Sequence, residues 1–175
     1  PNTRVLVTPS YETGMRMAGI PYSVVLTNAG DCYQLRNTND APADLSGTLI
    51  EADQPVSVFG GHVCASVHSP SLFYCDYLVE QLLPTERLGT DFHVAPLASR
   101  SGGETVRVVA ARNNTTLTVG SSGVVLTNRG DVFQALLPTA TRIRSDKPVQ
   151  VAQFAASSDH DGVRNSDPFM VLTPA

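Results

Sequence analysis

The stretch VVLTNAGDCYQ, Val24–Gln34, returns one hundred residues later as VVLTNRGDVFQ, Val124–Gln134. Each copy has an apolar segment, then Asn-x-Gly-Asp, then a second segment that contains an aromatic residue. Asn and Gly tolerate positive φ in tight turns, and Asp accepts hydrogen bonds from nearby backbone. Each copy therefore predicts a strand, a four-residue turn and a second strand.

The similarity between the two halves of the chain extends beyond these hairpins. The corresponding blocks are Pro1–Val7 with Asn113–Val119, and Glu51–Val58 with Arg144–Val151. The first copy has longer connections at Ser10–Pro21 and Asn37–Asp44, which are rich in turn residues, as surface loops tolerate. Each copy predicts a strand, a hairpin and an Asp-x-Pro turn into a last strand. The sequence thus predicts an all-β domain, a β-sandwich or barrel-like structure built from two pseudo-symmetric copies.

We expect a single domain over residues 1–175, with at most one short helix. Its parts are copy 1 at about residues 1–63, a connecting segment at 64–103, copy 2 at about 104–156, and a C-terminal strand at 157–175. The segment with a helical pattern is Tyr77–Leu83, which Pro84 would end. The alternating strand Glu104–Ala111 lies before the first block of copy 2 that matches copy 1, and its counterpart would lie upstream of Pro1. We therefore expect the chain to be excised from a larger multidomain protein.

Composition argues against two classes of partner. Charged residues make up 16% of the chain and the net charge is -4, so no basic surface is expected for nucleic acid. Apolar runs stay well short of the ~20 residues that cross a bilayer, so this segment should not insert into a membrane.

Arg129-Gly130-Asp131 is the tripeptide that integrin-type receptors bind. The first copy keeps the Asn-x-Gly-Asp pattern but has Ala29 in place of the arginine. A turn is therefore the favoured interpretation. Arg129 and Asp131 stay candidate ligand-binding residues because loop tips carry recognition.

Cys64 and Cys75 bracket ten residues that include Pro70 and three serines. In an oxidising compartment they would form a natural disulfide pair. Alternatively, reduced thiols could bind zinc together with His62 and His68, although the spacing matches no common zinc finger. Cys32 corresponds to Val132 in the other copy, so we expect a small buried hydrophobic residue.

Two further groups of residues are candidate sites. Phe73, Tyr74 and Tyr77 lie in or beside the loop between the cysteines and are candidates for ligand contact, unless they pack beneath that loop. The carboxylates of a polar loop could hold calcium, although a solvated turn also explains them. These carboxylates are Asp159, Asp161 and Asp167. We expect no other cofactor.

Six blocks of the sequence form a distinctive set: FGGHVC at 59–64, CDYLVEQL at 75–82, PLASR at 96–100, RVVA at 107–110, NTT at 114–116 and DPFMVL at 167–172. These blocks resemble the bacterial and animal domains named after the N-terminal region of IgGFc-binding protein, and the chain is identified as a bacterial-type member. This resemblance implies a secreted or cell-surface module of a large protein, with Cys64 and Cys75 bridged. It implies no catalytic residues.

The functional prediction is a non-catalytic binding or adhesion module that recognises an extracellular glycan or protein through its loops. Its other partners would be further domains of the same chain. The alternative is a structural spacer in a long surface protein. A hydrolase is disfavoured because the sequence has no nucleophile elbow, His-Glu-x-x-His motif or Gly-rich phosphate loop.

Overall fold

The computed structural model describes residues 2–38, 43–164 and 166–175. In this part of the chain almost all regular structure is β, which confirms the all-β prediction. The predicted long loop Asn37–Asp44 lies partly outside the described residues. The chain divides into two compact units, one ending at Ser57 and the other formed by Val58–Ala175. The prediction of a single domain stays a prediction.

The first unit is built around a three-stranded antiparallel sheet. Its strands are β1 (Thr3–Thr8), β2 (Tyr22–Leu26) and β3 (Leu49–Ala52), in the order β2-β1-β3. Burial alternates along β1, so that Val5 and Val7 face inward while Arg4 is exposed. This period of two is what a strand with one buried face requires.

The second unit combines a two-stranded ribbon with a seven-stranded sheet. The ribbon pairs β4 (Phe59–Ala65) with β5 (Asp76–Gln81). The sheet has the order β10-β7-β11-β8-β9, and β6 and β12 also pair with β11. Its strands are β6 (Gly89–Val94), β7 (Glu104–Ala110), β8 (Thr115–Val119), β9 (Ser122–Leu126), β10 (Val132–Leu137), β11 (Thr141–Phe154) and β12 (Met170–Leu172).

The core of the second unit lies along β7 and β11. Val106, Val108, Ile143, Val149 and Val151 are almost completely buried there. Pro148 lies inside β11, where the pairing register shifts between Arg144 and Val149. The predicted Asp-x-Pro turn is therefore wrong for the second copy, where a β-bulge accommodates the proline within one continuous strand. In the first copy, Asp53 and Gln54 form a bend outside the strands.

The helical prediction for Tyr77–Leu83 is also wrong. Asp76–Gln81 forms β5, because its backbone pairs with β4 and its side chains alternate between two faces. Leu78 is buried against Val67 and Phe154, whereas Tyr77 and Val79 are exposed. The short helix of the described chain is instead α1 (Ser158–Asp161), and Thr85–Arg87 forms a 3-10 turn. Among the described residues, none of the helices has the length and apolar character to cross a bilayer.

The two hairpins pair at corresponding residues. Thr3 lies opposite Leu26 in the first unit, and Thr115 lies opposite Leu126 in the second. In both turns the Asp carboxylate accepts a hydrogen bond of 2.8 Å from the Asn N–H three residues earlier. Gly30 and Gly130 both have a φ of 89°, which explains why the turn uses glycine. The pseudo-symmetric arrangement of the two copies stays a prediction.

The second strand of the first hairpin differs from its counterpart. The predicted strand Asp31–Arg36 has no strand partner among the described residues, whereas the corresponding β10 pairs with β7. Cys32 is exposed, so the expectation of a buried side chain is wrong. The physical reason is that no described strand of the first unit occupies the place that β7 has in the second unit.

Candidate binding surface

The β4–β5 ribbon presents an apolar face to solvent. Phe59 pairs with Gln81 and Gly61 pairs with Val79, and paired residues share a face of a ribbon. The opposite face buries Leu78 in the core. Four apolar side chains of the outward side are between 45% and 70% exposed. We call them the ribbon face: Phe59, Val63, Tyr77 and Val79.

A disulfide joins the loop beside this face at its two ends. Cys64 and Cys75 are bonded, as the family resemblance implied, and in this bonded form their sulfurs are not the free thiolates that the zinc alternative requires. Within the loop, Phe73 is 83% exposed and Tyr74 is 55% exposed. Their rings contact each other edge to face, with centroids 5.2 Å apart. The aromatic pair, Phe73 and Tyr74, thus faces solvent and does not pack beneath its own loop.

Hydrogen bonds from the loop to α1 and its N-terminal flank hold the aromatic pair in place. The Phe73 N–H donates to Asp159 Oδ2 at 2.7 Å. The Val67 N–H donates to Oγ of the buried Ser157 at 3.1 Å, and the Ser157 N–H donates back to the Val67 carbonyl. A loop fixed at both ends and in its middle loses little conformational entropy when it binds.

Two histidines contact each other where the loop meets α1. The rings of His68 and His160 have centroids 4.0 Å apart. Burial, and then the neighbouring His160, lower the pKa of His68 below its ordinary value. Because two imidazolium ions at this distance repel, acid should weaken the attachment of the loop to α1.

Two of the three predicted calcium-ligating carboxylates, those of Asp159 and Asp161, already have protein partners. Asp161 Oδ2 pairs with Arg100 Nη1 at 2.8 Å, and its Oδ1 accepts from the Val163 N–H. Asp159 accepts from the disulfide loop, and the Asp167 carbonyl accepts from Arg100 Nη2 at 3.1 Å. Over residues 2–38, 43–164 and 166–175, no three His, Cys, Asp or Glu side chains converge in a way suited to a metal ion. Calcium binding stays a prediction.

The Arg-Gly-Asp segment is built into the turn between β9 and β10. The Asp131 carboxylate accepts hydrogen bonds from the Asn128 N–H and side-chain amide. The Arg129 N–H donates to Asn113 Oδ1 at 2.7 Å. The predicted turn is present, and its aspartate stabilises the turn itself.

Sequence reasoning identified Phe73, Tyr74 and Tyr77, which the structure places on or next to the disulfide loop. It missed the other three residues of the ribbon face. Phe59 and Val63 could have been recognised from the period of two along this strand, but Gly61 between them interrupts the apolar pattern.

Comparison with known proteins identifies the family of the chain. The sequence pattern of the family described as IgGFc binding protein matches residues 1–175. IgGFc-binding protein from Homo sapiens is 35% identical over 136 residues, which is 75% of this chain and 2% of that protein. The chain thus spans a small fraction of this relative. No solved structure matches the chain.

Proposed function

The chain belongs to the IgGFc-binding protein family, and from this premise we propose that it is a non-catalytic extracellular binding module. In this proposal it recognises a protein ligand through the aromatic pair and the ribbon face. The observation that carries the proposal is the exposure of Phe73 and Tyr74 on a loop closed by a disulfide.

The chemistry of this surface favours a protein over a glycan. Aromatic residues are enriched among the side chains that dominate protein interfaces, and clustered exposed apolar groups mark interaction sites. The ribbon face offers apolar contact area from Phe59, Val63, Tyr77 and Val79. A sugar would need several convergent polar groups around an aromatic ring, whereas this side of the ribbon offers the phenol of Tyr77 and the exposed amide of Gln81 beside the apolar side chains.

The disulfide supports a secreted or cell-surface location, because such bonds persist in oxidising compartments. The name of the human relative states that it binds the Fc part of IgG. We take the Fc fragment as the first ligand to test on this chain.

The test is surface plasmon resonance of the whole chain against human IgG Fc and a panel of secreted proteins and glycans. Three proteins are compared: wild type, the double variant Phe73→Ala/Tyr74→Ala, and Val125→Ala. Val125 is exposed on β9 and serves as the matched control. We expect the double variant to lose about tenfold or more in affinity while the control keeps it.

The same experiment separates the alternatives. Runs with calcium and with a chelator test the predicted Asp159, Asp161 and Asp167 site, because chelation would weaken binding only if the metal contributes. If a well-folded wild-type chain bound no member of the panel, the proposal would be overturned and the structural spacer would be favoured.

A further inference from the structure

The first unit contains an extended segment whose backbone is unpaired. Cys32–Arg36 follows the Gly30 turn, and its N–H and C=O groups have no backbone partner among the described residues. Tyr33 is nevertheless fixed in place, because its hydroxyl lies 2.9 Å from the Tyr22 hydroxyl and the two rings meet edge to face. The segment is exposed except at the half-buried Leu35, and it is anchored to β2 through the Tyr33 side chain.

The second unit shows what a corresponding segment does when it is paired. Cys32–Arg36 corresponds to Val132–Leu136, which lies in β10. There, β10 pairs antiparallel with β7, and β7 lies between β10 and β11. The hairpin turns that lead into the two segments have the same register and the same Asp-to-Asn hydrogen bond.

Three backbone groups of the second unit bind the end of β7. The Gly130 N–H donates to the Ala110 carbonyl at 2.8 Å, and the Ala110 N–H donates to the Asp131 carbonyl at 3.1 Å. The Ala111 N–H donates to the Pro148 carbonyl at 3.1 Å.

The corresponding groups of the first unit have no backbone hydrogen-bond partner in the described part of the chain. They are the Gly30 N–H, the Asp31 carbonyl and the Pro55 carbonyl. All three sites that would hold the end of a β7-type strand are therefore available.

Side chains of the first unit indicate which residues such a strand would have. Gln134 Oε1 accepts a hydrogen bond from Arg107 Nε at 2.6 Å, and Gln34 is its counterpart in the first unit. Val149 is completely buried beside β7, whereas its counterpart Val56 is 37% exposed. The complementary strand would thus place an arginine opposite Gln34 and apolar residues where β7 has buried valines.

We propose that Gly30–Arg36 and Pro55–Ser57 form an open strand slot that accepts a β7-type strand from another domain of the same family. The occupant binds by β-augmentation, in which backbone hydrogen bonds give affinity and side chains give register. The 136 aligned residues are 2% of the human relative, so this family includes very long chains, which have room for further domains that carry such a strand. The slot and the ribbon face share no residue.

The test uses the whole chain and a synthetic peptide with the sequence of Gly103–Arg112, GETVRVVAAR. Hydrogen exchange is measured with and without saturating peptide. We expect the amides of Cys32–Arg36 to exchange at least about tenfold more slowly with the peptide bound. Gln34→Ala in the protein should weaken binding, and Val108→Asp in the peptide should abolish it.

Two results would overturn this proposal. The first is an unchanged rate of amide exchange over Cys32–Arg36 and Pro55–Ser57 when the peptide is present in large excess over the protein. The second is equal protection by a scrambled peptide of the same composition, because the slot requires a defined register.

Discussion

A single glycine should decide whether the β4–β5 ribbon keeps its shape. Gly61 lies opposite Val79, and a Cβ placed on it would be 2.0 Å from the Leu78 carbonyl oxygen and 3.1 Å from the Val79 Cα. Both neighbours are backbone atoms, so no side chain can rotate away and the two strands must move apart. Overpacking costs about 1 to 3 kcal/mol, and we expect Gly61→Ala to lie near 3. For a chain of this size, that corresponds to a fall in Tm of about 6 to 12 °C.

The adjacent glycine provides the matched control. A Cβ on Gly60 would meet only the side chain of Leu82 at 3.4 Å, which is close to ordinary contact. Gly60→Ala should therefore change stability by less than about 1 kcal/mol. Thermal unfolding by circular dichroism compares the two variants, and hydrogen exchange reports the β4 and β5 amides directly. Equal Tm values for Gly60→Ala and Gly61→Ala would refute the close approach of the strands.

Three further predictions concern the disulfide, the hairpin turn and acid. Replacing Cys64 and Cys75 by serine should cost about 3 kcal/mol of unfolding free energy in urea titrations, because the bond closes a short loop across a separation of 11 residues. Asp131→Ala should cost about 1 kcal/mol of unfolding free energy because the Asn128 N–H loses its acceptor within the turn; an unchanged free energy would show that this hydrogen bond does not stabilise the turn. The folded-state pKa of His68 lies below its ordinary value of 6.5, so the unfolded chain binds more protons and Tm should fall as pH drops below that value. His68→Gln should reduce this loss, and an identical pH profile in the variant would assign it elsewhere.

The strands and the hairpin turns could be predicted from local chemistry. The alternation of Val106 and Val108 gave β7, and the Asn-x-Gly-Asp pattern gave both turns. In each case the residues that decide the structure are neighbours in sequence, and their preference agrees with the tertiary environment.

Failures occurred where distant residues decide the outcome. Tyr77–Leu83 has apolar residues at helical as well as strand spacing, and only pairing with β4 selects the strand. Cys32 looked buried because Val132 occupies its place in the other copy, but burial depends on a neighbouring strand that sequence comparison cannot supply.

The candidate site was predicted in part for the same reason. The aromatic residues between the cysteines are visible in the sequence, but their exposure follows from contacts of the loop with Ser157 and Asp159, more than eighty residues away. The other ribbon-face residues are recognisable only after Phe59 and Val79 are known to share one side of the ribbon.

The most direct test of the binding site on Phe73 and Tyr74 compares the affinities of two variants for a panel protein that binds the wild-type chain. One is measured for Phe73→Ala/Tyr74→Ala, the other for Val125→Ala, with unfolding curves to show that both variants are folded. We expect the double variant to bind about tenfold or more weakly than the control. Equal affinities of the two folded variants would contradict a binding site on the aromatic pair.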